Sequence, residues 1–315
     1  MTEKQQLHVV FGAGQVGSLL VQELLARGHR VRVVRRSAQR AAHPDLQCVA
    51  ADVYDSAATL RAAAGADVVY LCVNAPYHEW PTKLAPLYRH IAAAAQAANA
   101  RLVVLDNVYM VGANGRFDET TPERPCSKKG QIRKNLADEL RAMHARGDLS
   151  VVMGRASDFF GPGVSQGAIQ HPRAMGQLLA GKTVDLLGDA DQPHSWSYVP
   201  DVAKALAELG AHPELAGRVL HLPVLPPQTA RAQLTALAAQ LGVPLKVRTM
   251  PRWMLKAAGL FSPTMAEMDE MLYQFNAPFI MDDARIRTAL GLQPTPLPEQ
   301  MAATAVWLRQ AQRPA

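Results

Sequence analysis

Three glycines, Gly12, Gly14 and Gly17, follow the apolar run Val9-Val10-Phe11 and precede an amphipathic stretch that ends near Gly28. The pattern reads as strand, tight turn and helix. Each glycine has its own job. Gly12 allows the sharp turn, Gly14 lets a phosphate approach the backbone, and Gly17 lets helix and strand pack closely. Unpaired N–H groups at a helix start favour an anion, so Gln15 and Val16 belong to the same expected dinucleotide site. The GxGxxG spacing gains weight from lying between a strand and a helix. The next strand ends at Arg35-Arg36, and no acid occurs between Arg30 and Pro44. An acid there would bind the ribose 2′-hydroxyl of NAD, whereas guanidinium groups suit the 2′-phosphate of NADP. NADP is therefore the expected cofactor and NAD the less favoured one. The alternative reading of Arg35 and Arg36 is exposed surface.

Other polar groups recur where later strands end. Asp52-Val53 follows the third strand and either caps the next helix or reaches the adenine amine. Asn74-Ala75-Pro76 follows the fourth, and Asn107 and Tyr109 follow the fifth. Open α/β sheets bind ligands at this carboxyl edge. Tyr77, His78 and Trp80 form an aromatic loop. His78 is suited to general acid or base work because its ordinary pKa is near neutral, with loop packing as the plainer role. Cys48, Cys72 and Cys126 have no CxxC spacing, and no Cys/His cluster has metal-site spacing, so no metal is expected.

The elements that must hold these groups alternate. Strands are expected at residues 7–11, 31–35, 46–50, 67–73, 101–105 and 149–153, with helices over 59–64, 84–98 and 131–145. Residues 110–126 read as a loop. The fourth strand is almost purely apolar, as in a parallel sheet covered on both faces. Sustained βα alternation predicts an α/β fold, a Rossmann doubly wound parallel sheet. Beyond Gly161-Pro162-Gly163 the pattern breaks into a helix at 168–179, short strands at 183–187 and 196–199, and a helix begun by Asp201. A strand at 218–222, a helix at 229–241 and a strand at 245–249 follow. Met-rich helix spans 251–275, as plain core or an apolar pocket lining, and a last helix spans 299–312. The expected domains are residues 1–163, with returning segments near 196–224, and a smaller C-terminal lobe from 164–195 and 225–315 that binds substrate.

The 315 residues are 49% hydrophobic, ample for a core, and carry a net charge of +6. The densest basic stretch, Arg27, Arg30, Arg32, Arg35, Arg36 and Arg40, has no aromatic interleaving, so no nucleic-acid partner is expected. No apolar run reaches membrane-span length, and the polar start at residues 1–6 is not a signal peptide, so a cytoplasmic protein with no membrane partner is expected.

These residues together resemble the extended short-chain dehydrogenase/reductase superfamily, in its epimerase/dehydratase-like branch. The resemblance rests on the glycine turn, Asp52-Val53, Asn74-Ala75-Pro76 and Val108-Tyr109 followed by Gly112. It extends to Gly161-Pro162-Gly163 and to Ser197-Tyr198-Val199-Pro200-Asp201-Val202-Ala203. It implies an NAD(P)-binding domain, a substrate lobe with the active site in the cleft between them, and a homodimer as the assembly to test. It also implies that Ser157 and Phe159 touch the nicotinamide end, with Arg155 a further contact or an internal ion-pair partner.

The family's glycine turn is usually one residue longer, and its catalysis uses a YxxxK pair. Spacing from Val108-Tyr109 puts Leu105 at the usual serine, Gly130 at the tyrosine and Lys134 at the lysine. The lysine, which would hold the ribose, is kept; the acid is lost. Tyr109 is then a replacement phenol or a structural turn residue, with Tyr77, His78, Asn107, His194 and Tyr198 as further groups on loops. Two functions stay open. One is an NADP-dependent oxidoreductase acting on a small carbonyl or alcohol compound, or an epimerase or dehydratase. The other is a protein that binds NADP(H) without turnover and reports to a partner.

Overall fold

The computed structural model describes residues 5–37, 40–261 and 263–311. Residues 1–4, part of the polar start, and residue 312, the expected end of the last helix, lie outside these. The chain opens as β1 (Leu7–Phe11), α1 (Gly17–Ala26), β2 (Arg30–Arg35) and β3 (Leu46–Ala50). It continues as α2 (Ser56–Ala63), β4 (Val68–Leu71), α3 (Trp80–Ala97) and β5 (Arg101–Asn107). The segment expected as a loop after β5 contains β6 (Gly115–Phe117), before α4 (Lys128–Ala145) and β7 (Val151–Ala156). Then come β8 (Asp158–Phe160), α5 (Pro172–Leu179), β9 (Thr183–Leu187), β10 (Pro193–His194), β11 (Trp196–Tyr198) and α6 (Val199–Ala211). The remainder is β12 (Val219–His221), β13 (Gln228–Thr229), α7 (Ala230–Leu241), β14 (Lys246–Met250), α8 (Arg252–Gly259), α9 (Pro263–Met268), β15 (Phe279–Met281), α10 (Ala284–Leu290) and α11 (Leu297–Ala311).

Two compact units divide the chain. The first holds residues up to 107, 131–155 and 203–220. Its centre is a seven-strand parallel sheet in the order β12-β7-β5-β4-β1-β2-β3, a Rossmann-like arrangement. The order reverses between β1 and β4, which pair with Phe11 opposite Leu71. Such a reversal opens a crevice at the carboxyl edge. All four residues of β4 are buried, which is why its sequence is almost purely apolar. The second unit holds residues 108–130, 156–202 and 221 onward. The parallel pairing of β6 with β15 draws the 108–130 segment into it rather than leaving residues 1–163 unbroken. A small sheet in the order β13-β10-β15-β6 is joined there by the parallel pairs β8 with β11 and β9 with β14. Phe160, Trp196, Leu234, Leu237, Met301 and Leu308 form its main core.

Four local expectations are corrected. Asp55, not Asp52, caps α2, accepting from the Ala58 N–H at 3.1 Å, so that helix begins earlier than expected. The helix expected from residue 168 starts at Pro172, whose ring suits the first helical turn. Asp201 lies inside the first turn of α6 and accepts from Thr295 instead of standing before the helix. The expected 149–153 strand runs on to Ala156, because Gly154 and Arg155 are buried within it.

Candidate functional site

The glycine turn has one open position between two closed ones. At Gly12, φ is +105° and an added Cβ would lie 2.8 Å from the Val73 nitrogen, so both the dihedral and the space demand glycine. A Cβ on Gly17 would lie 1.9 Å from the Gly12 carbonyl oxygen. At Gly14 nothing lies within 4 Å of a Cβ. The backbone is thus packed closely at Gly12 and Gly17 and clear at Gly14, where it has room for a phosphate. The first residues of α1 follow at once, with Val16 buried and no side-chain cap on the helix start. Gln15 is half-buried beside it. These residues fit a dinucleotide pyrophosphate.

Strand pairing brings other expected residues to the same edge. Gly12 donates to the Val34 carbonyl at 3.0 Å, tying the turn to the end of β2. Arg35 stands opposite Ala50, so Arg35, Arg36 and Asp52 share neighbouring strand ends. Arg36 and Asp52 are exposed, and Asp52 accepts from the Tyr54 N–H at 3.0 Å; Val53 is half-buried. The β1–β4 pairing sets Asn74-Ala75 beside the turn. Asn74 is exposed and accepts from the Ala75 N–H, and the buried Ala75 accepts from the Trp80 indole at 2.8 Å. Cys72, just before them, has its thiol pushed up to about 12 by burial, which keeps it protonated and unreactive. His78 is not drawn into this group. Its exposed ring lies 3.8 Å from Glu79.

The carboxyl ends of β5 and β7 hold a buried charge cluster. Asp106 lies 3.5 Å from the Arg133 guanidinium and 3.3 Å from that of Arg155, and all three are nearly inaccessible. Arg133 also donates to the Tyr88 hydroxyl and lies over the Trp80 ring. Burial, ahead of the opposing pull of Arg133, pushes the Tyr88 phenol up to about 12. Arg155 is thus an internal ion-pair partner. Lys134, one residue beyond Arg133, instead pairs with Asp138 at 2.6 Å on the exposed face of α4. Asn107 is half-buried at the end of β5.

The second unit holds the remaining expected residues. Tyr109 is half-buried, two residues past β5. Its carbonyl oxygen would lie 2.5 Å from a Cβ on Gly130, with Pro125 and Ser127 also close. No side chain, least of all a tyrosine, fits at 130 without backbone movement. Ser127 accepts from the Gly130 N–H at 3.0 Å and anchors this turn of α4. Ser157 donates its N–H to the Ser197 hydroxyl at 2.9 Å, while its own buried Oγ has no hydrogen-bond partner. Phe159 is half-buried in β8.

The burial of Lys129 and the Asp158 partner of His194 escaped the sequence reading. Lys129, 2% exposed, pairs with Glu267 and with Glu270 at 2.6 Å. His194 pairs with Asp158 at 2.8 Å. Their partners are 36 to 141 residues away, beyond any local pattern. Among the described residues, no group of three or more His, Cys, Asp or Glu is arranged to hold a metal ion, and no helix is long and apolar enough to cross a membrane.

Comparisons with known proteins agree with this geometry. A 3-diazoavenalumate denitrifying reductase from a Streptomyces species is 30% identical over 307 residues, covering 91% of this chain and 95% of that protein. A dTDP-glucose 4,6-dehydratase from Streptomyces venezuelae, solved with NAD bound, shares the fold at TM-score 0.76 and 21% identity, covering 97% of both chains. A UDP-glucuronic acid 4-epimerase from Bacillus cereus, also with NAD, shares it at TM-score 0.78 and 15% identity, covering 98% of this chain and all of the other. The sequence profile of the NAD dependent epimerase/dehydratase family matches residues 8–221, and the chain belongs to that enzyme family.

Proposed function

We propose that this protein is an NADP(H)-dependent reductase that acts on a small electrophilic acceptor without the family's catalytic tyrosine. The observation that carries this reading is Gly130, where an added Cβ would lie 2.5 Å from the Tyr109 carbonyl oxygen and no tyrosine has room. Loss of that phenol removes the usual proton relay but leaves cofactor binding intact. When bound, a nicotinamide supplies the hydride. The protein's own residues bind and orient it. The Gly12-Gly14-Gly17 turn, with Gln15 and Val16, holds the pyrophosphate. Arg35 and Arg36 hold the 2′-phosphate, and Asp52-Val53 the adenine. Asn74-Ala75 and Asn107 line the nicotinamide half, and Lys134 contacts the ribose after leaving Asp138.

A carbonyl compound is the favoured acceptor. The Streptomyces relative supports a reductase over an epimerase, since it matches nearly end to end and its name describes a reduction with loss of nitrogen. Diazo compounds therefore belong beside aldehydes, ketones and quinones in an acceptor panel. The test is loss of reduced-nicotinamide absorbance with NADPH and that panel. Oxidation with at least one acceptor is expected. Tight NADPH binding with no turnover across the panel would favour a cofactor-binding reporter instead. Replacing Arg35 and Arg36 by Ala should weaken NADPH about tenfold or more, because charge-assisted hydrogen bonds are lost. NADH affinity should be unchanged. An unaltered NADPH:NADH ratio would refute the 2′-phosphate assignment.

A further inference from the structure

Large apolar side chains that face water are gathered at one place in the second unit. Seven are exposed among the described residues, and four of them, Trp253, Met254, Leu260 and Phe261, fall within nine residues. Three of these are the most exposed of all: Trp253 at 69%, Leu260 at 81% and Phe261 at 91%. The geometry of α8 explains the grouping. Residues 253, 256, 257 and 260 recur at helical spacing and so share a face, while Leu255 points the opposite way and is buried. The turn continues past Gly259, with the Leu260 N–H donating to the Ala257 carbonyl at 3.2 Å, and carries Leu260 and Phe261 to the end of that face. Scattered apolar side chains are ordinary on a surface, whereas a contiguous group marks a place where something binds.

The charges around this face select the partner. From Leu215 to Ala266 the chain contains no Asp or Glu, while Lys246, Arg248, Arg252 and Lys256 lie in β14 and α8. Arg248 and Arg173 share Asp185, and Arg252 pairs with Asp269 at 2.6 Å. Glu267 and Glu270 are taken by Lys129. Lys256 is near enough to Asp269 to act on it, and it stands on the face between Trp253 and Leu260. Six cations thus stand against four carboxylates, and the surplus is positive. Rings and aliphatic groups flanked by Lys and Arg are the composition of a helix lying in a bilayer interface. Its apolar side enters the acyl boundary and its cations meet anionic headgroups. The long stem of Lys256 keeps its ammonium at headgroup level while Trp253 and Leu260 go deeper. A second copy meeting this face with its own would set like charges together.

We propose that the second unit docks on the surface of an anionic phospholipid bilayer through Trp253, Met254, Leu260 and Phe261. Among the described residues no helix is long and apolar enough to span a membrane, and a helix lying in the interface needs no such length. The docking is peripheral and reversible. The apolar side chains supply the insertion, and Lys246 and Lys256 add an attraction that salt screens. The proposal stands apart from the reductase reading, since it concerns where the protein sits and not what it turns over.

Sedimentation of the full chain with large vesicles tests this. Vesicles of phosphatidylcholine with about a quarter phosphatidylserine should carry the protein down, and phosphatidylcholine alone should bind it about tenfold less or weaker still. Combining Trp253→Ser, Leu260→Ser and Phe261→Ser should lower the partition coefficient about tenfold or more. The thermal midpoint of this triple variant should be unchanged, because the three side chains already face water. Combining Lys246→Gln and Lys256→Gln leaves the apolar face intact and should weaken binding about tenfold while reducing its salt dependence. Failure of the wild-type chain to bind the anionic vesicles overturns the proposal, and so does equal binding by the triple variant. A wild-type dimer that the triple variant abolishes, with no binding to vesicles, would assign the face to a second copy and also overturns it.

Discussion

The two units each hold three charges around a buried central one, and the clusters are opposites. In the first, Asp106 stands between Arg133 and Arg155, one carboxylate to two guanidinium groups. In the second, Lys129 stands between Glu267 and Glu270, one ammonium to two carboxylates. Both draw a cation from α4, whose residues divide between the units after Gly130. The difference lies in the outer members. Arg133 and Arg155 have 6% and 3% of their side chains exposed, whereas Glu267 and Glu270 keep 38% and 23%. A charge that keeps water loses little when its partner goes; a charge without water is stranded. The same count of ions therefore makes a rigid requirement in the first unit and a tolerant contact in the second.

Substitution of each central residue breaks or sharpens this contrast. Asp106→Ala leaves two guanidinium groups without their carboxylate in a dry site and should cost about 3–5 kcal/mol, the range for a broken buried pair. Denaturant unfolding measures it, and a cost below about 1 kcal/mol would show that water already reaches the arginines. Lys129→Met removes a central charge of equal magnitude. Its partners retain solvent, so after that screening the cost should be about 2 kcal/mol or less. A cost equal to that of D106A would abolish the distinction. Added salt should also narrow the K129M deficit while leaving that of D106A nearly unchanged, since exposed charges are screened and buried ones are not.

The sequence displayed the longer strands and the glycine turn far better than the charge clusters. β3 and β9 match their expected bounds, because each is a short β-favouring run closed by turn residues. The glycine turn was legible for a related reason: its constraints are local, and three residues carry them. The strands β6, β8, β10, β13 and β15 have two or three residues each, too few to show alternation. Arg155 and Lys129 were opaque in another way. Hydropathy assigns a charged residue to the surface, and only a partner 49 or 138 residues distant makes burial tolerable. Gly130 was identified from family spacing as the lost tyrosine. That a Cβ at 130 would meet the Tyr109 carbonyl is a tertiary fact with no trace in the local sequence. His194 was seen as one polar ring among several, and its partner Asp158 lies 36 residues away, beyond any local pattern.

A pair of buried histidines carries the contrast to its smallest effect. His194 in the second unit faces a carboxylate, whereas His8 in the first faces a phenol, with its Nδ1 3.0 Å from the Tyr70 hydroxyl. Burial foremost, then His29 and the nearby Arg101 and Arg27, lowers the His8 pKa to about 3. The folded protein therefore keeps His8 neutral where the unfolded chain protonates it near 6.5. Between those values the unfolded state binds the extra proton, so stability rises with pH across the window and falls on acidification through it. The slope from this residue approaches about 1.4 kcal/mol per pH unit. Unfolding measured from pH 7 to pH 4 should show that slope, and His8→Gln should flatten it by the same amount. An unchanged slope in H8Q would mean that the first unit accommodates one more buried cation, contrary to the strict balance around Asp106.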